Sequence, residues 1–197
     1  MNLFLKLTSG TIILIVVLVL VFILIVWLIG GYNNLVKLRN RVRNGWSQID
    51  VQLKRRFDLI PNLAETVKGY AQMEKGIFEE FARARGLYAQ ASKTGNVEGM
   101  AEANNTLAGT LSRLLVVTER YPELKANTNF QEMMKQLKDT EDKISFSRQF
   151  YNDTVLAYNN KTELFPSNII AGIFNFKPAQ FFEVKDEAQR EAPKVQF

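Results

Sequence analysis

The sequence predicts an all-α fold: an N-terminal transmembrane helix followed by an antiparallel four-helix bundle with a short C-terminal helix and tail. Three observations carry that prediction. A charge-free apolar run opens the chain, and apolar residues then recur at three- and four-residue steps as far as Lys161. No alternating β-branched run or hairpin turn points to a sheet.

No charged residue lies between Lys6 and Lys37, and residues 11–29 read TIILIVVLVLVFILIVWLI. At about 1.5 Å per residue this run reaches roughly 28 Å, enough for a hydrocarbon core of about 30 Å. A signal peptide has a shorter apolar region ending in a small-residue cleavage site, and Gly30-Gly31-Tyr32 matches one poorly. An uncleaved span is therefore expected over 11–30, behind a short tail at 1–10. Trp27 and Tyr32 bracket the expected exit, where amphipathic rings settle at headgroup depth.

Residues 31–165 are expected to form the bundle. Leu35, Leu38, Val42, Trp46, Ile49, Leu53 and Phe57 lay one apolar stripe down a first helix, and Leu63, Val67, Tyr70, Ile77, Phe78, Phe81 and Tyr88 continue the spacing in a second. Pro61 lies between them. Proline disfavours the α region for the residue before it and suits the first position of a new helix, so a break at 58–60 is expected. The alternative keeps both segments as one kinked helix of about 88 Å.

The polar SKTGN at 92–96 predicts a turn with Asn96 as N-cap. Met100, Leu107, Leu111, Leu114 and Leu115 mark a third helix, stopped near Pro122. Thr128 and Gln131 stand in capping-box register, and Leu137, Ile144, Tyr151 and Tyr158 carry a heptad step along a fourth helix. The expected segments are 33–57, 61–91, 97–120 and 129–161; similar lengths with short connections suit an up-down bundle. In 166–197, Ser167 is placed to cap a short helix. The aromatic stretch through Phe182 is expected to pack on the bundle ahead of a polar tail.

The chain has no cysteine and no histidine, which removes the thiolate nucleophile, the zinc–sulfur site and the usual general base. Glu79 and Glu80 are adjacent on a helix and point about 100° apart, so they do not converge as a dyad. No Gly-rich phosphate loop is present. No catalytic, cofactor-binding or metal site is expected, and no enzyme.

The net charge of +5 invites a nucleic-acid reading, yet that needs base-reading or stacking groups on a basic surface, and Trp46 and Phe57 fall on the apolar stripe instead, so no nucleic-acid partner is expected. Basic excess is local: residues 30–92 hold 11 basic and 6 acidic side chains, residues 94–165 hold 8 and 10. Lys37, Arg39, Arg41 and Arg43 follow the span closely, a pattern that retains the following domain in the cytoplasm and meets an anionic leaflet there. Lys54, Arg55 and Arg56 lie farther along, free to bind something else.

Three separated blocks, YNNLVKLRNRVRNGWSQIDVQLKRRFDLIPNLAETVKGYA, ISFSRQFYNDTVLAYNN and FPSNIIAGIFNF followed by FFEV, resemble the LemA family of bacterial membrane proteins. The resemblance runs from about Tyr32 to the C-terminus. It implies one N-terminal span in the bacterial inner membrane carrying an all-α bundle, and it supplies no reaction. Where the family carries a His-Glu pair, this chain has Gln72-Met73-Glu74.

The blocks hold polar residues at helical spacing: Arg39, Asn40, Asn44, Asp50, Lys54, Arg55, Arg56 and Asp58 early, Arg148, Asn152 and Asn159 late. Asn44 and Asn152 stand beside stripe residues and are candidates for burial. Such a set either forms a groove for a partner peptide or an inter-helix hydrogen-bond network that fixes register. The expected function is a non-enzymatic scaffold or adaptor for other envelope proteins, with the bilayer and membrane or cytoplasmic proteins as partners. The alternative is a lipid-binding or membrane-shaping protein acting through its basic helix and self-association as a homo-oligomer.

Overall fold

The computed structural model describes residues 9–68 and 75–183. Among the described residues there are six helices and no strand: α1 (Ser9–Lys68), α2 (Lys75–Thr94), α3 (Val97–Thr118), α4 (Pro122–Ala126), α5 (Thr128–Glu163) and α6 (Ser167–Ile173). The short tails, Tyr70 and the Gln72-Met73-Glu74 departure lie outside them.

The span and the first bundle helix are one element. The most apolar 18-residue window of α1 has a mean hydropathy of 3.8, and none of it is buried within the protein, as suits a helix whose solvent is lipid. The apolar stripe then takes over: Leu35, Val42, Ile49, Leu53 and Phe57 are buried. Helix continues through 58–60, where a break is expected, and Pro61 lies inside it. The stripe explains why. Ile60, Leu63 and Val67 are buried in register with Phe57. Burying each contributes about 1.5–3 kcal/mol, against about 3 kcal/mol for an interior proline.

The α2–α3 turn follows its local chemistry. Gly95 has φ 65, and Asn96 N–H donates to Ala91 O at 3.0 Å, closing α2 in the manner of a Schellman motif. Asn96 then caps α3, its side chain accepting from Gly99 N–H at 3.1 Å. Ala91 abuts Gly99, while Thr110 and Arg113 reach Glu80, so α2 and α3 run in opposite directions. At α5 the cap is Asn127, not Thr128: its side chain accepts from Phe130 N–H at 3.1 Å. The Gln131 amide turns instead to Lys125 O.

The chain divides into two compact units. The first holds Met1–Arg41 and Leu156–Ala179, the second Val42–Val155 and Gln180–Phe197. The second owns the main core, where Phe57, Ile60, Leu63 and Val67 of α1 meet Ile77 and Phe81 of α2, Leu107, Leu111 and Leu114 of α3, Leu124 of α4, and Phe130 and Leu137 of α5.

Candidate functional site

Three arrangements bring polar or apolar side chains to positions that folding alone leaves notable. The first is a buried charge in the second unit. Arg56 is 3% exposed, pairs with Glu141 of α5 and donates from Nη1 to Asn104 Oδ1 of α3 at 2.6 Å. Burial pulls its pKa down, and Glu141 pulls it back up. Arg56 thus ties three helices together and is not free to bind something else. Its neighbours are outside: Arg55 is exposed, and Lys54 makes a surface pair with Asp58 at 2.7 Å. Tyr88 stacks on Phe57 at 4.3 Å. Burial raises its pKa, helped by the charges of Asp50 and Asp58, while Ser92 pulls the other way.

The second arrangement is a pair of clasps on α5. In the second unit, Asn152 donates to Phe182 O at 3.1 Å and accepts from Phe182 N–H at 2.9 Å, and Tyr151 Oη donates to Gln180 O at 2.7 Å. The Phe182 ring is fully buried, 6.0 Å from Trp46, which stands 5.7 Å from Tyr151. Burial pushes the Tyr151 phenol up to about 12. Gly45 of α1 faces this place, where a Cβ would make ordinary contacts with Tyr151 and Phe150 at 3.4–3.6 Å.

In the first unit the same dipeptide repeats the device seven residues later. Asn159 donates to Ala179 O at 3.0 Å and accepts from Ala179 N–H at 2.8 Å, and Tyr158 Oη donates to Lys177 O at 2.9 Å. Each asparagine answers both backbone polar groups of one residue, which a carboxylate or an amine cannot do. The recurrence of Tyr-Asn at 151 and 158 was the sequence signal for these clasps.

The third arrangement is an apolar groove in the second unit between α1 and α5. Val51 is 61% and Phe146 78% exposed, and Phe150 is also largely open to solvent. Ser47, Gln48, Gln52, Asp142, Lys143 and Ser147 complete the lining. Nothing in the sequence set Val51 and Phe146 apart, since neither lies on the apolar stripes.

The remaining predicted residues scatter. Lys37, Arg41 and Arg43 are exposed, whereas Arg39 is half-buried with its guanidinium 5.0 Å over the Phe176 ring. Asn40 and Asn44 are exposed, so Asn44 is not a buried amide; Asp50, Arg148 and Asn152 are half-buried and Asn159 is buried. Ser167 does not cap α6: it is the first helical residue, and its hydroxyl donates to Leu164 O.

The profile of the LemA family matches residues 45–197. The chain belongs to the LemA family. Its relatives include magnetosome protein MamQ 1 of Paramagnetospirillum magneticum, 26% identical over 181 residues, a match covering 80% of this chain and 66% of that protein. MamQ of Magnetospirillum gryphiswaldense is 25% identical over 181 residues, with the same coverage of 80% and 66%. Protein LemA of Metamycoplasma hominis is 23% identical over 160 residues, covering 80% of this chain and 71% of that protein. The chain thus spans about two thirds (66%) of the length of the MamQ proteins. As a LemA-family chain with one candidate N-terminal transmembrane helix, it is a membrane protein.

Proposed function

We propose that this chain is a non-enzymatic, membrane-anchored interaction module, a scaffold or adaptor that holds another envelope protein beside the cytoplasmic face of the inner membrane. The groove of Val51 and Phe146 carries the proposal. Contiguous apolar side chains this open are normally kept from water, and the space between two helices accepts the apolar ridge of a third. Asp142 and Lys143 on the rim suit a partner helix with charges of both signs beside its apolar stripe. The exposed Lys37, Arg41 and Arg43 support the cytoplasmic side. The buried Arg56 set supports the inter-helix network over the groove reading for that cluster.

A photocrosslinking phenylalanine analogue at Phe146, activated in native membranes, tests this. The expected result is an adduct with a discrete second protein, absent when the analogue replaces the exposed Lys138 and lost on Val51→Asp. Adducts with lipid alone, or none, would remove the proposal; adducts only with a second copy would replace the adaptor by a self-associating protein.

A further inference from the structure

Residues 164–176, LFPSNIIAGIFNF, contain no charge. Within them Phe165 is 80% and Ile173 64% exposed, and Leu164, Ile169 and Phe174 are also open. Ile169 and Ile173 stand four residues apart on α6 and so share one outward face of it, while Phe165 is exposed in the turn ahead of it, a set of apolar side chains in a stretch that water would penalise. The opposite side is committed to the protein. Ile170 is fully buried against Gly31, where a Cβ would collide with its Cδ1. Tyr32 packs on Phe174 at 4.7 Å and on Phe176 at 5.7 Å. Trp27, Gly31, Asn34 and Leu35 line one cleft with Leu164, Phe165 and Ile170.

These contacts fix depth. Gly31 lies about 3 Å along the helix from Ile29, the last residue of the long apolar run, and the first charge on α1 after the span is Lys37. The membrane–water boundary therefore falls on the stretch of α1 that α6 touches, whatever the tilt of the span. A stripe of large apolar side chains held at that level meets lipid by position. The end of α6 holds it there: Asn175 takes a left-handed φ of 54, and Phe176 N–H donates to Ala171 O at 2.9 Å. Phe176 is thereby turned inward beneath Arg39. Exposed Glu163 and Lys177 border the charge-free stretch, and Lys161 lies one half-turn behind Glu163; the two lysines can reach headgroup phosphates.

We propose that the α6 segment is a second membrane contact of this protein, its Ile169–Ile173 face, with Phe165 of the preceding turn, immersed in the interfacial layer of the leaflet from which α1 emerges. It goes beyond the adaptor reading, since it concerns a different unit and a different occupant, and it survives if the groove binds nothing. It also differs from binding through the basic residues of α1, because apolar side chains set the depth.

The cysteine-free chain allows a direct test. Single variants Ile169→Cys, Ile173→Cys and, as an aqueous control, the exposed Lys138→Cys are spin-labelled in the full-length protein and reconstituted into vesicles of phosphatidylcholine and phosphatidylglycerol. Collision with oxygen, which concentrates in lipid, is compared with collision with a water-soluble nickel chelate. Labels at 169 and 173 should favour oxygen several-fold more than the label at 138, in pure phosphatidylcholine as well. Nickel access at 169 and 173 equal to that at 138 would overturn the proposal. So would poor access to both reagents, which would mean that protein covers the face.

Discussion

The two units hold nearby parts of the same segment with the same device and treat apolar residues in opposite ways. In both, a Tyr-Asn pair on α5 answers backbone groups of residues 177–182. In the second unit that anchorage ends in Phe182, sealed beside Trp46, within a unit whose apolar stripes face a common core. In the first unit, the anchored chain leads back to α6, whose large apolar side chains face outward, as do those of the span. A hydrogen bond between an asparagine and a peptide group has the same logic in either setting. What surrounds it is decided by the solvent that each unit was built for.

The largest expected effect separates the two units by burial. Phe182→Ala removes a fully buried ring and should cost about 3–5 kcal/mol in denaturant unfolding of the detergent-solubilised chain, whereas Phe174→Ala, half exposed, should cost well under about 2 kcal/mol. Equal losses would mean that the two rings are buried alike.

The second effect is confined to the second unit. Tyr151 is raised from 10.0 to about 12 by burial. Its stabilising contribution is therefore fully present below pH 10 and lost as the pH climbs to about 12, because the unfolded chain gives up its phenolic proton first. A shift of that size corresponds to roughly 2–3 kcal/mol. Stability followed between pH 9 and 12 should fall by about that amount, and Tyr151→Phe should flatten this part of the curve.

A smaller contrast sets one arginine against another. Arg56→Ala leaves the buried Asn104 unpaired and should cost about 1–3 kcal/mol, while Glu141, partly exposed, rehydrates. Arg39→Ala gives up a half-exposed stacking contact with Phe176, of about 0.5–1 kcal/mol. Chemical unfolding of both variants side by side checks the ranking.

What could be read beforehand follows from what periodicity encodes. The span, the buried face of α1 and the limits of α3 and α5 to within a few residues are local patterns, and they were legible. Pro61 misled because a local breaker was weighed without the stripe that runs through it at Ile60, Leu63 and Val67. Periodicity names a face and not its partner. The heptad of Tyr151 and Tyr158 was visible, but the peptide groups they hold lie 29 and 19 residues away. For the same reason Arg56 looked like one of three surface charges. Its partners, Asn104 and Glu141, arrive from helices that no neighbouring residue announces. Ile169 and Phe174 were expected to be buried with Ile170 and Phe176; hydrophobicity alone does not distinguish a side chain facing protein from one facing another apolar phase.

Helix α1 runs without a turn from the apolar span through residues 58–60 to Lys68. Spin labels at the exposed positions Val51 and Lys68 test it by pulsed dipolar spectroscopy. A continuous helix separates these positions by about 26 Å, at about 1.5 Å per residue, and a distribution centred there is the result predicted. A turn at 58–60 would lay the two labels side by side on packed helices at roughly 10 Å, and that distance would contradict the account.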